Sequence, residues 1–378
     1  MTHFMPQIAN DFVSFLLIIY IVVVGIQLLY LFVFHLRLFF HKAKDTQSNN
    51  LPPISVVICA RNEEDNLFKY LPKIAEQDYP NFEIVIINDQ SVDNSKYIIL
   101  TYQKKYPNIK YIELERNKHR QFGKKLPLTV GIKGAKNELI VVTDADCYPS
   151  SNQWLKLLAK NYNAKKQIIL GYSPYVKTKG LLNKLIRFDT SHIAITYLSF
   201  AKTALPYMGV GRNMAYSKQL FENVGGFKKH YHITSGDDDL FIKEAANRKN
   251  ITIELDEDSF VYSQPKTTFK DWINQKHRHF TTAPEYKLIN KMFLGIFPLT
   301  LFLMYITLFI LLFNTKWYAF VLTVFGIRLL FYWVVNGLLL KKLHQKDLIL
   351  FYPIWEIVYA IVMPFIYYSN RGTKRNKW

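Results

Sequence analysis

The chain has 378 residues, a formal net charge of +19, 50% hydrophobic residues and 16% aromatic residues. That length has room for two average domains, and the hydrophobic and aromatic content is high for a purely soluble protein. The two cysteines, Cys59 and Cys147, lack the spacing of a disulfide framework or of a cysteine zinc site, so both are interpreted as small strand residues.

The first long pattern is a nearly uncharged apolar run at residues 12–34. At about 1.5 Å per helical residue it is long enough to cross a bilayer, and it is too long for the apolar core of a signal peptide. Basic residues follow the run and none precedes it, which places the following polar part on the cytoplasmic side. We therefore predict a multi-pass cell-membrane protein with a retained N-terminal transmembrane anchor over residues 1–45.

A polar linker at residues 42–50 leads into alternating strand-like and helix-like patterns. Four apolar, β-branched runs predict strands, at residues 54–59, 82–87, 109–114 and 139–143. The segments between them have helical length, so the predicted fold class is α/β, with a parallel sheet and right-handed crossovers. Ligands of such sheets bind beyond the carboxyl ends of the strands.

The fourth predicted strand ends in Asp144 and Asp146. In an extended backbone alternate residues share a face, so these two carboxylates are expected to converge. Converging carboxylates suit Mg²⁺, which shares its remaining ligands with water and substrate phosphates, so a nucleotide diphosphate is expected beside the metal. The alternative is a short acidic pair that only caps a turn.

The other strand ends also carry polar groups. Asn62 and Glu63 follow the first predicted strand, and Asp89 and Asp93 follow the second. Asp89 is suited to accept hydrogen bonds from a base or ribose, although an ordinary turn that caps the next helix is the alternative. Because these loops open on the same edge of the sheet as the Asp-x-Asp pair, we predict one ligand site there.

Gly123, Lys124 and Lys125 precede another predicted helix, where backbone donors and a lysine are suited to meet phosphate; solvated surface lysines are the alternative. Residues 181–202 mix apolar and basic positions at helical spacing, which fits an interfacial helix or a plain core helix. Residues 209–215, GVGRNMA, lack the third glycine and the preceding strand of a dinucleotide loop, so we interpret them as a packing or acceptor-side loop.

Residues 235–240, SGDDDL, place three acids directly before an amphipathic helix. One acid at a helix start is ordinary capping. Three consecutive acids repel one another, which raises the proton affinity of at least one and suits a general base.

Gln275 and Arg278 lie three residues apart and share one face of a predicted helix, for which a basic juxtamembrane helix is the alternative. Apolar stretches at residues 292–313, 317–340 and 348–368 then predict a C-terminal membrane region over 286–378 with two or three spans. The net charge fits a domain held against an anionic leaflet, and no nucleic-acid-binding motif accompanies it.

Taken in order, the motifs ARNE, IINDQSVD, GKK, DAD, GRNMA, SGDDDL and QKHRH resemble those of a membrane-bound family 2 glycosyltransferase, over residues 52–281. The resemblance implies a Rossmann-like GT-A domain at 46–285, flanked by transmembrane helices. It also implies a nucleotide-diphosphate sugar donor, Mg²⁺ or Mn²⁺, and inversion at the anomeric carbon. The implied partners are a lipid-linked or glycan acceptor and membrane lipids, with no nucleic acid.

The resemblance assigns roles by position. Asp89 matches the aspartate that holds the nucleoside, Lys124 the lysine near the diphosphate, and Asp146 the metal ligand. The base is Asp237, with Asp238 as the fallback. The predicted site residues are Asp237 and Asp238 for catalysis, Asp144 and Asp146 for the metal, and Asn62, Glu63, Asp89, Asp93, Lys124, Asp144, Gln275 and Arg278 for substrate binding.

Two positions depart from the family pattern. The Thr-Glu pair before the base is Ser235 and Gly236, and the tryptophan of the Gln-x-x-Arg-Trp motif is His279. The tryptophan belongs to the acceptor platform of synthases, so its absence favours a single transfer to an acceptor hydroxyl. A processive polysaccharide synthase and a catalytically inactive nucleotide-sugar binder remain the alternatives.

Overall fold

A computed structural model describes residues 4–42, 51–115, 123–313 and 316–369, with side chains from residue 11 onward. Most of the predicted linker at 42–50 lies outside the described residues. The chain forms two compact units, Met1–His41 with Lys287–Tyr368, and Lys42–Tyr286 with Ser369–Trp378.

The regular elements of the described residues follow in chain order. They are α1 (Phe4–Tyr30), α2 (Leu36–Phe39), β1 (Ile54–Ala60), α3 (Glu64–Ala75), β2 (Phe82–Asp89), α4 (Ser95–Lys105), β3 (Ile109–Leu114), α5 (Lys125–Gly134), β4 (Leu139–Asp144), β5 (Cys147–Pro149), α6 (Trp154–Ala159), β6 (Ile168–Leu170), α7 (Leu181–Lys202), β7 (Met214–Ser217), α8 (Lys218–Asn223), α9 (Asp239–Ala245), β8 (Ile251–Ile253), β9 (Val261–Ser263), α10 (Phe269–Phe280), α11 (Leu288–Leu312), α12 (Tyr318–Lys342) and α13 (Tyr352–Ser369).

The second unit is built on a seven-stranded sheet with the order β3-β2-β1-β4-β7-β6-β8, and β5 pairs with β9 beside it. β1 to β4 are parallel, as predicted. All seven residues of β1 are buried, because its continuous apolar run is covered on both faces of the sheet.

β7 corrects the expectation of a wholly parallel sheet, because it runs antiparallel to both β4 and β6. Its first residue, Met214, pairs with Val142 near the carboxyl end of β4. Because β7 is antiparallel to β4, it begins at the edge of the sheet where β4 ends. The loop that precedes β7, residues 209–213, therefore lies at the edge of the sheet where β4 ends.

α7 covers the whole of the predicted helix at 181–202. It buries side chains along its length, among them Leu185, Tyr197 and Phe200, as a core helix does. The interfacial position of this helix stays a prediction.

Among the described residues, three helical segments are long and apolar enough to cross a membrane: Asp11–Phe39, Leu288–Leu312 and Tyr318–Lys342. They coincide with the N-terminal anchor and the first two late segments that the sequence predicts. α13, which contains Pro364 and Glu356, is not one of them.

The first unit contains a buried polar network between its helices. Arg328 of α12 donates to Glu356 of α13 at 2.5 Å and to Gln27 of α1 at 2.6 Å. Gln27 in turn donates to Thr300 of α11 at 2.6 Å. Charges in an apolar helical unit are expected to face other helices in this way.

Candidate active site

Lys124 lies directly before α5 and connects two acids that are far apart in the chain. Its Nζ forms an ion pair with the Asp144 carboxylate and lies 3.6 Å from Oδ2 of Asp237. Burial alone would lower the pKa of Lys124, but these two carboxylates raise it well above its ordinary value. The ammonium therefore stays charged between the two acids.

Asp144 and Asp146 converge for a different reason from the predicted one. β4 ends at Asp144, and a turn at residues 145–146 follows in place of a continued strand. Ligand atoms of Asp144, Asp146 and Cys147 nevertheless lie within 4.8 Å of one another.

The donor set at this turn can be tested against a divalent cation. Burial and the nearby acids raise the pKa of Cys147 well above its usual range, and its thiol donates to Oδ1 of Asp146 at 3.2 Å. A neutral thiol is a poor ligand for a hard cation, which leaves the two carboxylates. Two carboxylate ligands, completed by water and phosphate, are typical of Mg²⁺ and suit Mn²⁺.

Asp89 lies at the end of β2 and is fully buried. Near the end of β1, the pKa of the Cys59 thiol is shifted by several nearby charged groups. Burial raises the pKa of Cys59, Lys124 opposes that shift, and Asp237, Asp144 and Asp89 add to it. These four charged groups therefore lie within electrostatic range of one thiol, so the structure brings the predicted nucleoside, diphosphate and base residues to one place.

The three consecutive acids have different surroundings. Asp238 accepts hydrogen bonds from the N–H groups of Gly211, at 3.0 Å, and Asp239, at 2.8 Å, and burial followed by the charge of Asp237 raises its pKa to about 6. Asp239 accepts hydrogen bonds from two side-chain hydroxyls at 2.9 and 2.6 Å. Among the three, Asp237 is the acid within ion-pair distance of Lys124.

The loops after β1 and β2 are bonded to each other. Oδ1 of Asn62 accepts the N–H of Val92 at 2.8 Å, and the Asp93 carboxylate accepts backbone N–H groups at the starts of α3 and α4. In these contacts the Asp93 carboxylate caps the starts of two helices, which gives Asp93 a structural role. Burial, followed by the charges of Asp146, Asp144 and Asp93, raises the pKa of Glu63 to about 7, so Glu63 borders the same cluster.

α10 brings both of its predicted residues toward the cluster. Nε2 of Gln275 donates to the hydroxyl of Tyr175 at 3.0 Å, and the exposed side chain of Arg278 interacts electrostatically with Asp144. Lys276, between them, is buried and ion-paired with Asp189 of α7 at 2.7 Å. The pair fixes α10 against α7.

The loop before the acids is fixed by Lys125, which the sequence placed beside phosphate or in solvent, and by Gly236, which the sequence marked only as a departure from the family pattern. Lys125 donates to three backbone carbonyls within residues 230–235, each at 2.7 Å. Gly236 has φ +84°, and a Cβ there would lie 2.7 Å from Cγ2 of Thr282. Glycine at the position where the family has glutamate is therefore required by the local backbone.

Arg212 is a charged residue of the cluster that the sequence analysis missed. Its guanidinium lies 4.6 Å from the ring centroid of Tyr175 and donates to the carbonyl of Ser173 at 3.4 Å. Burial would raise the pKa of Asp144, but Lys124, Arg212 and Arg278 hold it below its ordinary value. The available signal was a single basic residue inside the glycine-rich loop at 209–215.

Comparison with known proteins gives the following matches. The family described as glycosyl transferase family 2 matches residues 55–225. Poly(ribitol-phosphate) beta-glucosyltransferase of Bacillus spizizenii is 27% identical over 210 residues, which cover 55% of this chain and 32% of that protein. Beta-monoglucosyldiacylglycerol synthase of Nostoc sp. is 31% identical over 120 residues, which cover 31% of this chain and 25% of that protein. The chain thus spans about a third or less of the length of these two relatives.

A solved structure resembles nearly the whole chain. It is the mannosyltransferase PcManGT from Pyrobaculum calidifontis in complex with GDP-Man and Mn²⁺, with a TM-score of 0.55 and 18% identity over 92% of this chain and 99% of that one. At this identity the likeness shows the fold. The predicted α/β fold of the GT-A type, with flanking apolar helices, is confirmed.

Proposed function

This chain belongs to glycosyltransferase family 2 through residues 55–225, and on that premise we propose that it is an inverting, metal-dependent glycosyltransferase. The donor is a nucleotide-diphosphate sugar, and the acceptor is a hydroxyl on a lipid-linked or membrane-associated molecule. One observation supports this most directly: Lys124 lies between Asp144 and Asp237. A carboxylate suited to take a proton thereby lies beside the groups suited to hold a diphosphate.

In this proposal Asp89 binds the nucleoside, while Lys124 and Arg278 face the diphosphate. Asp146, with Asp144, would hold Mg²⁺ or Mn²⁺, which when bound neutralises charge on the diphosphate. The fit of the two carboxylates to such an ion rests on their convergence within 4.8 Å.

Asp237 acts as the general base. It removes the proton of the acceptor hydroxyl as that oxygen attacks the anomeric carbon, and the bond from that carbon to the diphosphate oxygen breaks. The proton stays on Asp237, and the electron pair leaves with the nucleoside diphosphate. Attack from the face opposite the leaving group inverts the anomeric carbon. Lys124 and Arg278 stabilise the charge that develops on the leaving oxygen.

The membrane location has separate support. Within the described part of the chain, three segments are long and apolar enough to cross a bilayer. The basic residues after the first favour a cytoplasmic position for the second unit. A relative from Nostoc is named for a glucosyl lipid product, beta-monoglucosyldiacylglycerol. We infer a lipid-linked acceptor for this chain as well.

The base is tested by Asp237→Asn. The donor is first identified from a panel of nucleotide sugars with Mn²⁺ or Mg²⁺, by thermal stabilisation of the purified protein. Transfer by the variant should fall by about 10²- to 10⁴-fold because proton removal is lost. The affinity for the donor should stay within about threefold of the wild-type value, which is less than the roughly 1.4 kcal/mol of a tenfold change.

The matched control is Asp258→Asn, which makes the same change at an exposed position and should transfer at the wild-type rate. A D237N variant that transfers normally would assign the base elsewhere. Wild-type protein that binds a donor but neither transfers nor hydrolyses it would support the binding-only alternative. A ladder of long products would support a processive synthase.

A further inference from the structure

We propose that Arg212 is a further substrate-binding residue, which contacts the sugar-bearing β-phosphate of the donor. The inference rests on the proposed function above and deepens it. It adds to the site a cation that neither the motif spacing nor the family resemblance assigned.

The guanidinium of Arg212 is held in one orientation. It lies over the ring of Tyr175, 4.6 Å from the centroid. Tyr175 is 8% exposed, and its hydroxyl accepts a hydrogen bond from Gln275. Nη2 donates to the carbonyl of Ser173 at 3.4 Å. A planar cation on a fixed aromatic ring is preorganised, so little conformational freedom is lost when it binds an anion.

One nitrogen of this guanidinium has no partner in the part of the chain that the structure describes. Nη1 of Arg212 is buried and makes no hydrogen bond to any residue that the structure describes. A buried donor without an acceptor is unfavourable, more so when it carries charge. An anionic ligand at this point would supply the acceptor.

The groups around Arg212 indicate which part of the donor would be the anion that it binds. Its charge interacts with Asp144, Asp146 and Cys147, on the side of the metal-binding carboxylates. The preceding residue, Gly211, donates to Asp238, and a Cβ at Gly211 would lie 3.6 Å from Oδ2 of Asp237. Arg212 thus lies between the proposed metal ligands and the proposed base.

The β-phosphate must occupy the same interval. In the proposed reaction it would share the metal that Asp144 and Asp146 would hold, and it bears the sugar whose anomeric carbon the acceptor attacks. Lys124 already faces two carboxylates, whereas Arg212 presents an N–H without an acceptor. Arginine also matches phosphate oxygens with two parallel donors, which lysine does not.

The alternative role for Arg212 is to balance the charge of Asp144 and Asp146 without touching the donor. The two roles predict different nucleotide dependence. If Arg212 contacts the β-phosphate, its replacement weakens the binding of nucleoside diphosphates. The binding of monophosphates, which have no β-phosphate, is unchanged. Charge balance acts through the acids and their metal, and so affects both nucleotides alike.

The test is calorimetric binding of UDP, GDP, CDP and dTDP, and of the matching monophosphates, to the full-length chain with Mn²⁺. For the diphosphate that the wild type binds, Arg212→Gln should lower the affinity about ten- to a hundredfold, the loss of a charge-assisted hydrogen bond. The matching monophosphate should change by less than about threefold. Arg248→Gln, at an exposed position in the same unit, is the control and should bind as the wild type does.

Arg212→Lys keeps the charge and removes the planar fork, so it too should lose affinity selectively for the diphosphate. It decides the question if R212Q unfolds at a lower temperature than the wild type. Unchanged diphosphate binding, or equal losses for the two nucleotides, would overturn the role of Arg212 and leave the proposed function intact. A wild type that binds none of the diphosphates would overturn both.

Discussion

At the scale of single residues, the environment separates side chains that are identical in the sequence. Asp237, Asp238 and Asp239 are consecutive, yet one lies beside Lys124, one accepts two backbone N–H groups and one accepts two hydroxyls. A carboxylate whose oxygens are already bound to the backbone is less available to take a proton from a substrate. The role of Asp237 as base remains a prediction, which D237N tests.

Glu63 supports a prediction about pH. Its pKa is raised from 4.5 to about 7, chiefly by burial. Between these values the folded chain retains a proton that the unfolded chain releases, so the stability of the wild type falls as pH rises from 4.5 to 7. The glutamine of the Glu63→Gln variant does not titrate, so the stability of the variant does not fall for this reason.

The melting temperature of E63Q, measured with EDTA and without nucleotide, should therefore exceed that of the wild type at pH 8 and match it near pH 4.5. Because Glu63 is partly exposed, we expect a difference of about 1 kcal/mol, or about 2–4 °C for a unit of this size. The exposed Glu222→Gln variant should show no such pH dependence. An equal shift at both pH values would exclude titration of Glu63 as the cause.

At the scale of elements, the buried ion pair between Lys276 and Asp189 fixes α10, which carries Gln275 and Arg278 toward the site. The side chains of Lys276 and Asp189 are each 4% exposed and pair at 2.7 Å. Gln275 directly precedes Lys276 in α10, and Arg278 follows it by two residues. A buried ion pair contributes little net stability against an apolar replacement, but losing one partner is costly. The pair therefore acts mainly to specify how α10 packs on α7.

Lys276→Met should destabilise the second unit by about 3–5 kcal/mol, since it leaves the Asp189 carboxylate buried without its cation. The double variant D189L/K276M removes both charges and should recover most of that loss. Thermal unfolding measures the stability, and donor binding reports whether Gln275 and Arg278 keep their positions. A double variant no more stable than the single one would argue against the ion pair as the cause.

At the scale of the whole molecule, the chain combines an apolar helical unit with an α/β unit that carries the candidate site. Each unit contains a buried ion pair between its own helices, Arg328 with Glu356 in the first and Lys276 with Asp189 in the second. Such an organisation suits an enzyme with a water-soluble donor and a membrane-bound acceptor. The proposed cytoplasmic position of the second unit can be tested directly.

Both native cysteines are buried, so introduced cysteines can be labelled against a low background. We expect an impermeant maleimide to label Lys316→Cys in intact cells, because residue 316 follows the first late span. Arg248→Cys, exposed in the second unit, should be labelled only after lysis. The reverse pattern would show the opposite orientation, and equal labelling of the two in intact cells would show that α11 does not cross.

The amino-acid sequence by itself determined the four parallel strands β1 to β4, the apolar helices and the acids at the ends of those strands. These features depend on local periodicity and on where a strand stops, which are written into neighbouring residues. The α/β fold could therefore be predicted, and so could the position of Asp89 and Asp144 at one edge of the sheet. Asp237 entered the predicted site only through the family resemblance.

Only the tertiary structure decided how those parts meet. The antiparallel direction of β7 brings the loop of Arg212 to the edge where β4 ends, and a turn, not an extended strand, brings Asp146 beside Asp144. Lys124 is shared by acids from two distant loops. Contacts of this kind depend on chain direction and packing between remote segments, and no local pattern encodes them.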